Sequence, residues 1–102
     1  MANQWGISPE VERAVSARDK VCVYCSVRFG TDRKTAKSWE HIDNDIAHAT
    51  LENIALCCIG CNASKGAKKL SDWIASPHAK RRGVLPETIA PMIRSALANS
   101  SA

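Results

Sequence analysis

Trp39-Glu40-His41, Asn53 and Cys57-Cys58-Ile59-Gly60-Cys61-Asn62-Ala63-Ser64-Lys65-Gly66-Ala67-Lys68-Lys69-Leu70-Ser71-Asp72-Trp73 fall within one short run of this chain, with Cys22-Val23-Tyr24-Cys25 just upstream. The run joins an acid–histidine pair, half of a cysteine ligand set, and a basic helix opening at an amide side chain. The cysteines read C-x2-C, 32 intervening residues, C-x2-C. Each C-x2-C presents two sulfurs at one tight turn, and two such turns complete the tetrahedron of a closed, structural zinc site with four cysteine ligands. A redox dithiol and free core cysteines are the competing readings. Cys57 to Cys61 also has a permitted spacing. The x2 spacing favours Cys58, with Gly60 relieving the turn, and leaves Cys57 in the preceding strand as a small buried hydrophobe.

A chain of 102 residues is read as one domain, 1–102. Its aromatic content is three Trp, one Tyr and one Phe, so the core it can build is modest. Structural zinc contributes about 10–16 kcal/mol in small zinc modules, comparable with the whole stability of an ordinary domain. The formal charge of +4 falls by two once four thiolates surround a Zn2+, so global charge says little and its distribution says more. The start of the chain lacks a charged segment followed by an apolar run. No stretch reaches the ~18–20 apolar residues of a membrane span. Paired cysteines suit a reducing compartment, and cytoplasm is the expected location.

Ile7-Ser8-Pro9-Glu10 reads as a helix start, with Ser8 as cap and Pro9 at the first helical position. Val11, Ala14 and Val15 follow on one face, and the helix is expected to end near Asp19-Lys20; Arg13 and Arg18 read mainly as solvated charges. Val21 to Gly30 forms a knuckle, and Thr31 to Ser38 a basic loop. Strands are expected at Ser38–Ile42 and Ile54–Cys57, with Trp39, Ile42, Ile54 and Leu56 facing inward. A helix then opens at Asn62, with an inward stripe of Ala63, Ala67, Leu70 and Ile74. At about 100° per residue, Asn62, Lys65 and Lys69 share another face within roughly 60°. Pro77 ends this helix, and Lys80-Arg81-Arg82-Gly83 is a basic link. A last helical segment, about 84–98, carries Leu85, Ile89, Met92, Ile93, Ala96 and Leu97, its start confined between Pro86 and Pro91. That stripe either packs on the domain or meets a second copy in a homodimer. Asn99 to Ala102 are expected to fray.

Cys22-x2-Cys25, Glu40-His41-Ile42, Asn53-Ile54 and Cys58-x2-Cys61-Asn62 together resemble the HNH endonuclease family in its zinc-ribbon form, over about residues 20–74. The resemblance implies an α+β fold: a small ββα-metal (His-Me finger) domain stapled by a four-cysteine zinc site, with flanking N- and C-terminal helices. It implies cleavage of DNA phosphodiester bonds, with His41 as general base, Glu40 as metal ligand and Asn53 bracing the loop between the strands. Asn62 falls where the family usually has a histidine ligand, so the chain looks like an HNN variant.

The chemistry of the residues agrees. An imidazole with a pKa near ~6.5 suits the deprotonation of water at neutral pH. Glu40 and Asn62 offer only oxygens, which favours Mg2+ or Mn2+ over zinc. Lys65 and Lys69 are expected to hold phosphate oxygens, and Arg33, Lys34, Lys37, Arg81 and Arg82 to add salt-dependent contacts. Asp43 rivals Glu40 as the carboxylate ligand, His48 is expected to be an exposed loop residue, and His78 a surface one. The rival reading is a non-catalytic zinc ribbon that grips nucleic acid, sharing the cysteines and lysines but with no use for Glu40, His41 and Asn62 together. A protein-interaction domain built on the C-terminal apolar stripe is a third class.

Overall fold

The computed structural model describes residues 6–45, 47 and 49–100. At its centre β1 (Lys37–His41) and β2 (Ile54–Cys58) pair antiparallel, setting Lys37 opposite Cys58, Glu40 opposite Ala55 and His41 opposite Ile54. β2 is buried at every position: Ile54 and Leu56 join one apolar cluster with Ile7 and Val15, and Ala55 and Cys57 join another with Val23, Tyr24 and Trp73.

One side is covered by α1 (Pro9–Arg18), which starts where the local chemistry asks it to: Ser8 Oγ accepts from the Val11 N–H at 3.2 Å and Pro9 follows the cap. Ile7 and Val15 pack against Ile54 and Leu56, while Ala14 is exposed, narrowing the expected apolar face. At the helix end, buried Asp19 accepts from the Leu56 N–H at 3.1 Å. Arg18 ion-pairs with Asp19 and donates to the Leu51 and Ile54 carbonyls. Arg18 is therefore a tie between α1 and β2, a role its sequence context does not signal.

β2 runs straight into α2 (Ile59–Lys65), capped by Cys58, whose sulfur accepts from the Cys61 N–H at 3.4 Å. The helix thus opens at Ile59, three residues ahead of the expected Asn62. It stops at Gly66, whose φ of 53° an L side chain rarely adopts. α3 (Leu70–Ile74) is a separate turn of helix. This break undoes the expected stripe: Ala63 and Ala67 are exposed, and Cys61, Lys65, Leu70 and Trp73 are the buried positions. The basic link is also helical. Ser76 caps α4 (Pro77–Arg81) with Pro77 in its first turn, so this proline opens a helix as well as following one.

Val84 to Ala90 forms no helix; it runs along the knuckle, with the Ala90 N–H bonded to the Val23 carbonyl and Thr88 Oγ1 to the Tyr24 carbonyl. α5 (Pro91–Ser100) begins only at Pro91 and includes Asn99; Ser101 and Ala102, also expected to fray, lie outside the described residues. Ile89 and Ile93 are buried and Met92, Ala96 and Leu97 partly so, all against the core of their own chain. Most of the expected apolar stripe thus packs on its own chain, while Leu85 is exposed. The whole is a small α+β domain, and among the described residues no helix is long and apolar enough to cross a membrane.

Candidate metal centre and the adjoining polar site

The knuckle turns through Ser26 at φ 65°, with the Cys22 N–H bonded to the Val27 carbonyl and the Ser26 N–H to the Cys22 carbonyl. It points Cys22 and Cys25 at the junction of β2 and α2, where Cys58 and Cys61 wait. The four sulfurs lie within 4.8 Å of one another, and Cys25 and Cys58 are 3.8 Å apart. A tetrahedron of zinc–sulfur bonds of about 2.3 Å has edges of about 3.8 Å. These four cysteines can hold a metal such as zinc. Cys57 faces away, 3.7 Å from Ser38 Oγ, in a setting where burial pushes its thiol pKa up. The strand–helix junction separates the two neighbours: Cys58 is the cap and Cys57 the last inward residue before it.

The cysteine protons are already unequally held. A hydrogen bond from Cys61 lowers Cys22 to about 5, and the same bond raises Cys61. Burial pushes Cys25 up to about 11. A cation binding here would displace the thiol protons.

Glu40, His41 and Asn62 line one depression of about 290 Å³ together with Trp39, Asn44, Gly66 and Ala67. Glu40 and His41 are 5% and 7% exposed. Glu40 Oε2 accepts from the Tyr24 hydroxyl at 3.0 Å and meets Lys65 Nζ at 3.1 Å. Burial raises the Glu40 carboxyl pKa, with Lys65 working against that rise. The Asn62 amide nitrogen points to Ser38 Oγ (3.1 Å) and the Trp39 carbonyl (3.5 Å), which turns the amide oxygen the other way.

Lys65 corrects an expectation. It is 0% exposed and cannot reach a phosphate; its ammonium is shared between Glu40 and Asn44 Oδ1, the latter at 2.8 Å. Those two partners hold Lys65 inward, and the Gly66 break leaves Lys69 on a separate helical segment. Lys69 is exposed and lines a neighbouring hollow of about 520 Å³ that also includes Asp43 and Asn53. There Asn53 does brace the turn after β1: its Oδ1 accepts from the Asp43 N–H and its Nδ2 donates to Asp43 Oδ1, both at 3.0 Å. Asp43 is occupied in that brace, whereas Glu40 faces the depression. His48 lies outside the described residues.

Two contributors carry no sequence signal strong enough to single them out. Tyr24, between the knuckle cysteines, carries a hydrogen bond from the metal centre's turn to Glu40 and stacks edge-on against Trp73, 4.9 Å between ring centres. Asn44 sits at φ 64°, a region asparagine tolerates better than most residues. Its Nδ2 ties the turn to the Ala67 and Lys68 carbonyls. The Asp43-Asn44-Asp45 run does announce a turn, but not this cross-link.

The remaining basic residues gather elsewhere. Arg33, Lys34 and Lys37 are exposed, and their loop is fastened over the start of α2 by the Gly60 N–H to Lys34 carbonyl bond (3.0 Å). Lys37 stands four residues from His41 along β1, about 13 Å at ~3.3 Å per residue. Arg81 is exposed beside His78, also a surface residue, on α4, which packs on α2. Arg82 is half-buried against the cysteines. The chain matches no family model, no curated protein and no solved structure.

Proposed function

We propose that this protein is a metal-dependent DNA endonuclease of the ββα-metal type, hydrolysing phosphodiester bonds one strand at a time. The observation that carries this reading is the convergence of Glu40, His41 and Asn62 on a single depression, with Asn53 bracing the turn that follows His41. Those four residues sit on a strand, a loop and a helix, and a zinc-stapled scaffold with no further task does not require them together.

His41 takes a proton from water, which attacks the phosphorus as the 3′ or 5′ oxygen leaves. A hard divalent ion, Mg2+ or Mn2+, would be held by Glu40 and Asn62 oxygens and would supply charge stabilisation at the phosphate and leaving oxygen. The donor set fits such an ion, although weakly: Lys65 already neutralises Glu40, and the contacts from Tyr24 and Lys65 both fall on Oε2. Tyr24 and Lys65 hold the carboxylate, and Asn53 holds the backbone beside the base. Arg33, Lys34, Lys37 and Arg81 at the zinc end, with Lys69 near the depression, give phosphate contacts on the flanking duplex.

The Lys65–Glu40 pair also favours a second reading, a zinc-stapled nucleic-acid-binding module without catalysis, because an ion-paired carboxylate has less reason to take a metal. Supercoiled plasmid incubated with zinc-loaded protein separates the two. Nicked circles that appear only with added Mg2+ or Mn2+ support the nuclease. Retarded but uncut plasmid at every metal concentration supports the binding module.

A further inference from the structure

Arg82 stands among basic residues that suit phosphate binding, yet its guanidinium is turned inward. It caps the end of α4, and its Nη2 donates to Cys58 Sγ at 3.8 Å. Gly60 leaves room for this arrangement. A Cβ at that position would run into the guanidinium, 2.8 Å from Cζ. Gly60 is not among the positive-φ glycines, so backbone conformation does not call for it. The space it leaves is the space Arg82 fills.

The charge of the site explains why a cation belongs there. Four thiolates around one divalent ion carry a net −2, enclosed in a mostly buried setting. N–H···S bonds spread that charge and fix the ligand sulfurs, as partners of metal ligands generally do. The Cys61 N–H already serves Cys58 in this way.

We infer that Arg82 is a positioning residue of the metal centre: its guanidinium offsets the excess negative charge of the four-thiolate site and fixes Cys58 by hydrogen bonding. It is not a nucleic-acid contact. Because this contact links the end of α4 to the cap of α2, the centre would staple three parts of the chain: the knuckle, the β2–α2 junction and α4. The inference rests on the four-cysteine site alone and is independent of any nuclease activity.

The test measures metal affinity of the full chain by competition with a chelator, together with the absorption spectrum of the Co2+-substituted protein. Arg82→Gln should weaken zinc by about 10–100-fold. It should also move the thiolate-to-cobalt charge-transfer band to longer wavelength, because sulfur lone pairs rise in energy when a donor is lost. Arg82→Lys should recover part of the affinity through its charge. Gly60→Ala, which pushes the guanidinium aside, should shift band and affinity in the same direction even if Arg82→Gln folds poorly. The combined variant should be no weaker than Arg82→Gln, since both changes act through one contact. Zinc affinity of Arg82→Gln within about twofold of wild type, with an unmoved cobalt band, would overturn the inference, as the expected change is far larger. Loss of salt-dependent DNA retention alongside that result would return Arg82 to the phosphate-binding set.

Discussion

Replacing Lys65 by Met keeps the apolar stem as far as Cε and removes a buried ammonium 3.1 Å from Glu40. At an effective dielectric near 20, that separation corresponds to about 5 kcal/mol of Coulomb attraction. Breaking a buried pair from one side is destabilising by ~3–5 kcal/mol, because the partner charge stays behind. Burial already raises the Glu40 pKa, and losing Lys65 raises it further, so part of the loss is relieved by protonation. The lower end, about 3 kcal/mol, is the expected value near neutral pH. For a domain of this size that is a fall in Tm of roughly 12–24 °C, read by circular dichroism at fixed excess zinc, since ligand concentration moves Tm. The sign of the pH dependence follows. The carboxylate is the strained form, so the deficit of Lys65→Met is present at high pH and shrinks as pH falls through the raised folded-state pKa of Glu40. Glu40→Gln added to Lys65→Met should restore most of the stability, because the orphaned charge is gone. Mn2+ should stabilise Lys65→Met more than wild type if Glu40 can take a metal. A Lys65→Met protein melting together with wild type at neutral pH would refute this account of the pair.

Two further outcomes concern the ligands. Cys58→Ser should abolish stoichiometric zinc by metal analysis and unfold the domain, whereas Cys57→Ser should keep its zinc, because Cys57 faces Ser38 rather than the other sulfurs. Asn62→Leu should end divalent-metal-dependent plasmid nicking while zinc stays bound, and Asn62→Asp should keep or tighten metal dependence through its added charge; nicking by Asn62→Leu at the wild-type rate would remove Asn62 from the metal site.

What can be read from the sequence is what local chemistry encodes. Ser8 and Pro9 announce α1, the two C-x2-C turns announce their sulfur cluster, and Asn53 braces the turn as expected. Most of the failures share a cause, contact between residues distant in sequence. Lys65 looks like any helix-surface lysine until Glu40, on another element, supplies a buried partner. Gly60 looks like a turn glycine until Arg82 is seen above it. At Gly66, helical spacing across Ala63, Ala67, Leu70 and Ile74 argues for continuity, but in the folded chain its φ of 53° wins. Pro77 reads as a stop, although Ser76 beside it carries the signal for a new helix.

The central claim is that His41 is the base of a phosphodiester hydrolase, and its most direct test is the rate of plasmid nicking by His41→Ala at saturating Mn2+. His41 lies apart from the four sulfurs, so the variant should retain its zinc, fold and bind DNA. Removal of a general base lowers rate by ~10²–10⁴, so nicking should fall by that factor and should not recover as Mn2+ is raised, since the missing group is a proton acceptor. Nicking at the wild-type rate by purified His41→Ala would contradict the mechanism and leave the non-catalytic binding module in its place.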